Sequence, residues 1–453
     1  MRQLSSALVR NLIFPIWNLR DHPHFSRYFR EFQRTQFLSR DEIEQLQLRR
    51  LRELLKHAYA NCPFYRARMD QAGLSPEVHS LTDLRNLPPL TKRDIQDNAA
   101  EMLARNVPES ARLRNQTGGS TGSPLQFYVD RERFDSREAS TVRHNLWVGM
   151  RPGDWQAVLW GARLDQLPQD RLWDRLRNNW LYRKLELNTS SIRPDDWTAY
   201  IDRLRRVRPR FMVTYAQSAV LFARELQERG IGDIAFDAII TTSEVLLPGQ
   251  RTLLEQTFRT RIFDRYGCRE MSVIASECEA HTGLHVNAEA LLVEIAAEAD
   301  GGAGKILVTD LLNRSMPLIR YEIGDVGSWA ASQKCPCGRS LPLLNPIEGR
   351  TTDFLVLGDG RRISGPALTL VIADMSDVRQ VQIVQTGPQS ITMRVVPGRG
   401  YGPDTEKELE RRFGLYLQGA AALRVETVES IASELSGKYR FVINEMTPAA
   451  ESR

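Results

Sequence analysis

The sequence predicts an α/β protein with a large multi-layer N-terminal domain of mixed sheets, followed by a small mobile α+β domain. Three observations carry this expectation. At 453 residues the chain outgrows a single hydrophobic core, which stops growing near ~250–300 residues. From Arg114 onward, short apolar runs alternate with helical stretches, the signature of parallel strands joined by crossover helices. Past residue 350 the pattern changes to alternating strands and one amphipathic helix, spread over about 100 residues, enough for a separate domain.

The chain opens with helical signals that extend over residues 1–110. In LSRDEIEQLQLRRLRELLKHAYANCPFY, Ser39 can cap a helix and Glu42 can reach back to it. Ile43, Leu46, Leu51, Leu54, Leu55 and Ala58 then fall near one face, and Pro63 stops the helix. Thr91 caps a further helix in LPPLTKRDIQDN. The strands expected next are AVLWG (157–161), FMVTY (211–215), DAIITTSE (237–244) and RIFDRYG (261–267). Between the middle pair, SAVLFARELQERG (218–230) is an amphipathic helix ending in glycine. After Leu291 the segments LLVEIAA, KILVTDL and LIRYEIGD are strand-rich. Beyond the boundary, VRQVQIVQ (378–385) and ITMRVV (391–396) flank the turn TGPQS, then come the helix DTEKELERRFGLYLQ and the strand LRVETVES. The expected division is 1–350, with the nucleotide and acyl site in 111–350, and 351–453. The sequence has no internal repeat and no low-complexity segment.

Composition narrows the function. A hydrophobic share of 42% and a charged share of 26% are those of an ordinary globular protein. The 61 basic and 56 acidic residues are intermixed without a long like-charge run, which argues against a nucleic-acid-binding arm. An anionic substrate suits the net charge of +5, as do solvated helix faces. The cysteine count of five is odd, and no secretory signal accompanies it, so a disulfide framework is not expected. The opening MRQLSSALVRNLIFPIWNL is too short and too interrupted to span a bilayer, which takes about 20 apolar residues. Residues 1–20 are left with two readings, a helix packed on its own domain or a peripheral contact with a membrane surface. The expected compartment is the cytoplasm.

Five motifs carry chemistry. TGGSTGSP (Thr117 to Pro124) packs Gly118, Gly119 and Gly122 among hydroxyls, and such concave amide arrays bind phosphate. No lysine follows the last glycine, so it is not a Walker P-loop. RYEIGDVG delivers Asp325 at a glycine turn, where a carboxylate can accept from a ribose diol. IFDRYGCRE ends a strand at Tyr266 and Gly267, then presents Arg269 and Glu270, which could hold Mg²⁺ against phosphates. GRTTD (Gly349 to Asp353) marks the boundary, and SGKYR (Ser436 to Arg440) sets Lys438 in a glycine loop.

In this order the five resemble the adenylate-forming superfamily, and within it the phenylacetate–coenzyme A ligase branch with its relatives from capsular polysaccharide loci. The resemblance runs from about residue 40 to 445 and includes the CPFY of the helical opening. It implies that Ser120, Thr121 and Gly122, with Thr117, Gly118 and Gly119 beside them, cradle the ATP phosphates. Ser243, Glu244, Tyr266 and Gly267 would line the adenine, Asp325 would hold the ribose, Arg350 would contact ribose or phosphate, and Asp353 would be the hinge. Glu270 would bind Mg²⁺, and Lys438 would bridge the substrate carboxylate and the α-phosphate. The implied reaction is carboxylic acid plus ATP to acyl-AMP and pyrophosphate, then thioester formation with coenzyme A. An amine, hydroxyl or sugar acceptor is the alternative, and a non-catalytic nucleotide-binding scaffold is the rival of another class. Many of these ligases carry Ser or Thr before the glutamate. Arg269 stands there instead, closer to the polysaccharide-locus relatives, so phenylacetate itself is not implied.

The cysteines form a separate constellation. Cys335 and Cys337 of CPCGR, with Cys278 and either His281 or His285 of ECEAHTGLH, make the donor set of a closed structural Zn²⁺ site, and the phenylacetate ligase branch is similar in having one. His285 is favoured because it opens a strand that can fix it. Trp160, Tyr215 and Ser218, at strand ends, are the candidates for the acyl pocket and suit an aromatic or other flat acid.

Overall fold

The structure is a computed structural model that describes residues 6–116, 125–160, 177–189, 194–297, 302–350, 354–359, 361–364, 368, 372, 375, 377–432 and 440–446. Its helical opening forms for local reasons. Ser39 accepts from the Glu42 amide while the Glu42 carboxylate accepts from Ser39, starting helix Arg40–Asn61. Thr91 and Asp94 do the same for Lys92–Met102. Pro63 ends the first of these and, lacking an N–H to satisfy, also opens Pro63–Ala72. One inward position differs from expectation. Leu46 is only half-buried, and Gln47 takes the inward place, donating to the Leu291 carbonyl at 3.0 Å.

Strands β1 (Arg112–Gln116) and β2 (Gln126–Asp130) form an antiparallel hairpin whose last pair, Gln116 and Gln126, brackets the glycine-rich run. Asp130 then caps helix Arg131–Trp147 by accepting from the Arg133 amide at 2.7 Å. The alternating region yields β3 (Gln156–Trp160), β4 (Lys184–Asn188), β5 (Phe211–Tyr215), β6 (Ala238–Thr242) and β7 (Arg261–Cys268), all parallel. Helices Pro194–Val207, Ala216–Glu228 and Pro248–Phe258 lie between them and bury Ile201, Phe222 and Leu254 against the strands. Every residue of β6 is buried, as expected of a central strand covered on both faces.

The hand of the pairing then changes. β8 (Ser272–Glu277) and β9 (Leu284–Val286) run antiparallel, each to the strand before it. β10 (Leu291–Ala297), β11 (Gly304–Asp310) and β12 (Tyr321–Gly327) start a second sheet. β13 (Leu343–Leu344) adds to β9, and β14 (Gly349–Arg350) adds to β12. The large sheet has the order β13-β9-β8-β7-β6-β5-β3-β4 and the second β10-β11-β12-β14. The largest core packs the N-terminal helices on the second sheet.

After Arg350 come the short pair β15 (Phe354–Val356) and β16 (Arg362–Ser364), then β17 (Val378–Gly387), β18 (Ser390–Pro397), β19 (Ala422–Thr427) and β20 (Val442–Asn444). The last four form a sheet of order β19-β18-β17-β20. Helix Pro403–Leu417 buries Leu409, Phe413 and Leu417 with Val381, Ile383 and Met393 of this sheet, a core distinct from the others. Among the described residues, no helix is long and apolar enough to cross a membrane.

The helix Arg131–Trp147 is fixed by buried charge. Arg143 meets Glu289 at 2.6 Å and Asn287 at 2.7 Å, and Thr35 donates to the same carboxylate at 2.8 Å. Both ionic side chains are fully buried. Removing one partner strands the other charge, so Glu289→Ala is expected to destabilise the fold by about 3–5 kcal/mol, read as a lowered thermal midpoint.

Candidate functional site

The parallel strands end side by side, and the site begins at those ends, where ligands of open α/β sheets bind. Trp160 closes β3, Tyr215 closes β5, Ser243 and Glu244 follow β6, and Tyr266 lies near the end of β7. Ser243 has φ +68°, a left-handed conformation that costs a non-glycine residue energy and is enriched at functional sites. The turn it makes is followed by Glu244, whose carboxylate accepts from the Gln217 amide at 2.8 Å. That amide is in the first turn of helix Ala216–Glu228, where negative charge is favoured.

The sharp return from β7 to β8 explains the glycine after Tyr266. A Cβ on Gly267 would collide with the Ser272 carbonyl, and the ladder shifts register between Tyr266 and Gly267. The turn so formed carries Glu270. Arg137 holds it from helix Arg131–Trp147, donating to the carbonyl of Arg269 at 3.4 Å and to that of Glu270, with Asp310 at 3.6 Å. Burial, reinforced by Arg133 alongside, pulls Arg137 down to about 10, which still leaves it charged at neutral pH. The Tyr321 hydroxyl donates to Glu270 Oε1 at 3.1 Å. Burial, then the charge of Glu270, hold that phenol protonated.

Asp325 reaches the same place from the second sheet. Lys305 pairs with Val326 and Leu307 with Glu322, so Ile306 alone faces Ile323, Gly324 and Asp325. This bulge, with Gly324 at φ +86°, re-aims the strand as bulges near active sites do. Asp325 was expected at a glycine turn; it lies within β12, and the bulge supplies the bend. The Tyr266 hydroxyl donates to Asp325 Oδ2 at 2.7 Å, and Asp325 is the cross-strand partner of Arg350 in β14. Three residues singled out for nucleotide binding, from three strands in two sheets, thus adjoin, with Glu270 held by Tyr321 of the same β12. Such a cluster offers a carboxylate acceptor to a diol, an aromatic face and a second carboxylate for a cation. Thr117, Gly118, Gly119, Ser120, Thr121, Gly122, Asp353 and Lys438 lie outside the described residues, and Arg350 is placed by its backbone alone.

Farther along the sheet edge, the rings of Trp160 and Tyr215 lie 4.3 Å apart at 37°. Tyr215 is buried and Trp160 half-buried. Ser218 is in the helix after β5, and its hydroxyl donates to Thr189 at 3.0 Å. The sequence reading did not single out Arg137 or Tyr321. Tyr321 lay within a motif already chosen for its aspartate, whereas an arginine in mid-helix gives no local signal.

A second cluster joins Cys278, His285, Cys335 and Cys337, whose ligand atoms all lie within 4.8 Å of one another. Cys278 and Cys335 have sulfurs 3.6 Å apart, and Cys337 Sγ is 3.3 Å from His285 Nε2. A tetrahedral zinc with Zn–S near ~2.3 Å and Zn–N near ~2.0 Å needs edges of roughly 3.5–3.8 Å, so the donor set fits in type, with the Cys278–Cys335 pair inside that range and the Cys337–His285 pair just below it. The Ala280 and Arg339 amides donate to the Cys278 and Cys337 sulfurs, both at 3.4 Å. Nδ1 of His285 faces the Leu341 carbonyl at 3.4 Å, an outer contact of the kind that orients a ligating imidazole. Burial keeps His285 neutral, at about 4. The alternative, His281, turns away to Glu277 at 3.2 Å.

Tyr266→Phe removes one hydrogen bond to a charged acceptor, worth about 1.5–3 kcal/mol. Tyr266→Phe is therefore expected to lower the thermal midpoint of unfolding.

Residues 355–445 match the family model of the CapK C-terminal domain. Among curated proteins, the chain is 24% identical over 332 residues to a phenylacetate–coenzyme A ligase of Thermus thermophilus, covering 71% of this chain and 73% of that one. It is 24% identical over 437 residues to protein CapK of Staphylococcus aureus, covering 92% of each. Among solved structures, 2-hydroxyisobutyryl-CoA ligase in the postadenylation state superposes with a TM-score of 0.75 at 22% identity, over 91% of this chain and 92% of the other. An anthranilate CoA ligase bound to anthranoyl-AMP gives 0.55 at 12% identity, over 80% and 74%. By sequence the chain is a homologue of the phenylacetate–coenzyme A ligases and of CapK, and its fold is that of the adenylate-forming coenzyme A ligases.

Proposed function

We propose that this chain activates a carboxylic acid with ATP to give acyl-AMP and pyrophosphate, then transfers the acyl group to coenzyme A. The observation that carries the proposal is the meeting of Tyr266, Asp325 and Arg350, with Glu270 beside them, at the ends of the parallel strands. A carboxylate is a poor acyl donor because oxide is a poor leaving group. One of its oxygens attacks the α-phosphorus, the bond to pyrophosphate breaks, and the resulting anhydride has AMP as its leaving group. Negative charge crowds that phosphorus in the transition state, so catalysis rests on positioning and charge stabilisation. Asp325 holds the ribose, Arg350 contacts ribose or phosphate, Ser243, Glu244 and Tyr266 line the adenine, and Ser120, Thr121 and Gly122 cradle the phosphates. Lys438 bridges the two reacting groups. Glu270 would hold Mg²⁺, which would supply charge neutralisation to the phosphates. Asp353 is the hinge about which the small domain, residues 351–453, swings Lys438 away before the thiol arrives. The Trp160–Tyr215 pair supports a flat, aromatic acid as the substrate.

A second reading concerns only the acceptor. The phenylacetate ligases align over 330–332 residues, whereas CapK aligns over 437, and residues 355–445 match the CapK model. In that reading the acyl group passes to an amine, hydroxyl or sugar instead of coenzyme A.

Three sulfurs and one imidazole support a structural Zn²⁺, closed to substrate. Elemental analysis of the purified protein is expected to find one zinc per chain, absent from Cys335→Ser, whose thermal midpoint also falls; wild-type protein without metal would contradict the assignment.

ATP–pyrophosphate exchange across aryl, fatty, amino and hydroxy acids tests the activity, and thioester formation tests the acceptor. Lys438→Ala is expected to lose about 150-fold or more in adenylation, equivalent to ~3 kcal/mol, while ATP binding stays nearly unchanged. Absence of exchange with every acid would favour a non-catalytic scaffold, and equal loss of binding and turnover would argue against the role of Lys438.

A further inference from the structure

The first helix has its apolar side facing outward. Residues 6–21 form one continuous helical stretch, the π-helical run Val9–Ile13 leading into Phe14–Asp21. Its inner side is fixed to the body of the protein. Arg10 pairs with Asp154 at 3.5 Å, Arg183 donates to Ser6 at 3.1 Å, and Phe14 meets Phe25 edge-on at 5.5 Å. Val9 and Asn18 are buried. The backbone at Gly153 comes so near that a Cβ there would sit 2.8 Å from the Ser6 carbonyl.

The outer side presents Leu8, Leu12, Ile16 and Leu19, which are 46%, 52%, 58% and 73% exposed. Spacings of four, four and three place them in one stripe. A surface helix ordinarily turns polar residues outward, and single exposed leucines need no explanation, but contiguous ones mark an interaction site. Among the described residues, seven large apolar side chains are exposed to this degree, and four form this stripe. A fifth, Trp180, lies on the π-helical run Asn178–Tyr182 that packs against Val9–Ile13.

We propose that this face docks on an anionic lipid surface, with the helix lying in the plane of the interface. Charge favours lipid. The first thirty residues hold five arginines (Arg2, Arg10, Arg20, Arg27, Arg30) and one acidic residue, Asp21, in a chain of net +5; Arg10 and Arg27 are taken up by Asp154 and Glu132, which leaves Arg20 and Arg30 exposed. The Arg20 side chain is 85% exposed beside the last leucine of the stripe. A cleft of about 310 Å³ runs beneath the helix, with Phe14, Pro15, Phe29 and Leu146 offering apolar walls and Arg10 and Arg151 offering cations. That combination suits an acyl chain and its phosphate. Tryptophan and arginine flanking a leucine stripe are the composition of interfacial helices. From Leu8 to Leu19 the stripe covers only ~17 Å at 1.5 Å per residue, too short to span a ~30 Å hydrocarbon core.

Co-sedimentation of the full chain with phosphatidylcholine vesicles, with and without phosphatidylglycerol, tests the proposal. Wild-type protein is expected to bind the anionic vesicles, less so at about 0.5 M salt. The triple variant Leu12→Gln, Ile16→Gln, Leu19→Gln is expected to lose about tenfold or more in partitioning, while Leu415→Gln, on the exposed face of a distant helix, loses nothing. ATP–pyrophosphate exchange in solution is unaffected by the triple variant, so this test stands apart from that of the ligase activity. Failure of wild-type protein to bind either vesicle, or equal binding by the triple variant, overturns the proposal. A wild-type dimer that the triple variant converts to monomer, without vesicle binding, assigns the face to a second copy of the chain instead.

Discussion

A 2.7 Å hydrogen bond from Tyr266 to Asp325 ties the last parallel strand of one sheet to a bulge in the other, and the candidate site depends on it. The partners are 59 residues apart, and each reaches the bond through a glycine. Gly267 permits the close return after Tyr266, and Gly324 supplies the left-handed residue of the bulge. A second bond from Tyr321 to Glu270 joins the same two segments at 3.1 Å. Side chains alternate faces along a strand, so straightening β12 by one residue would turn Asp325 to the opposite side. The geometry that presents the Asp325 carboxylate is therefore set by backbone conformation first and side-chain chemistry second.

The turn bearing Glu270 is steadied from behind. Arg137 donates to two of its carbonyls and faces Asp310 across a dry interior. Arg133, fully buried, meets the same Asp310 at 2.7 Å. Two cations sharing one carboxylate in a low-dielectric region cost desolvation energy, and that cost is offset only when hydrogen bonds satisfy the remaining donors. Here the Met271 carbonyl and Ser136 hydroxyl take the Arg133 donors. The Cys278–His285–Cys335–Cys337 cluster lies at the far end of the large sheet, where β9 and β13 are only three and two residues long. Strands so short gain little from their own ladder, and a tetrahedral metal bound there would hold the segment between β12 and β14 in register.

Much of this was legible locally. Caps at Ser39 and Thr91 and the alternation of apolar runs with helices each follow from a few neighbouring residues. Leu46 shows the limit of helical periodicity: the stripe was right in phase, yet tertiary packing drew in Gln47 because its amide could satisfy the Leu291 carbonyl. The bulge at Gly324 could not be read, since it exists only relative to β11. Arg137 and its carbonyl partners were equally hidden, being 132 and 133 residues apart in sequence. Spacing set Cys335 beside Cys337, but only the antiparallel pairing of β9 with β13 brings His285 to them.

The most direct test is a crystal structure of the protein with AMP or a non-hydrolysable acyl-AMP analogue. The account predicts both ribose hydroxyls within hydrogen-bonding distance of the Asp325 carboxylate and the adenine beside Tyr266 and Ser243. A nucleotide bound elsewhere, with Asp325 still bonded only to Tyr266, would contradict it.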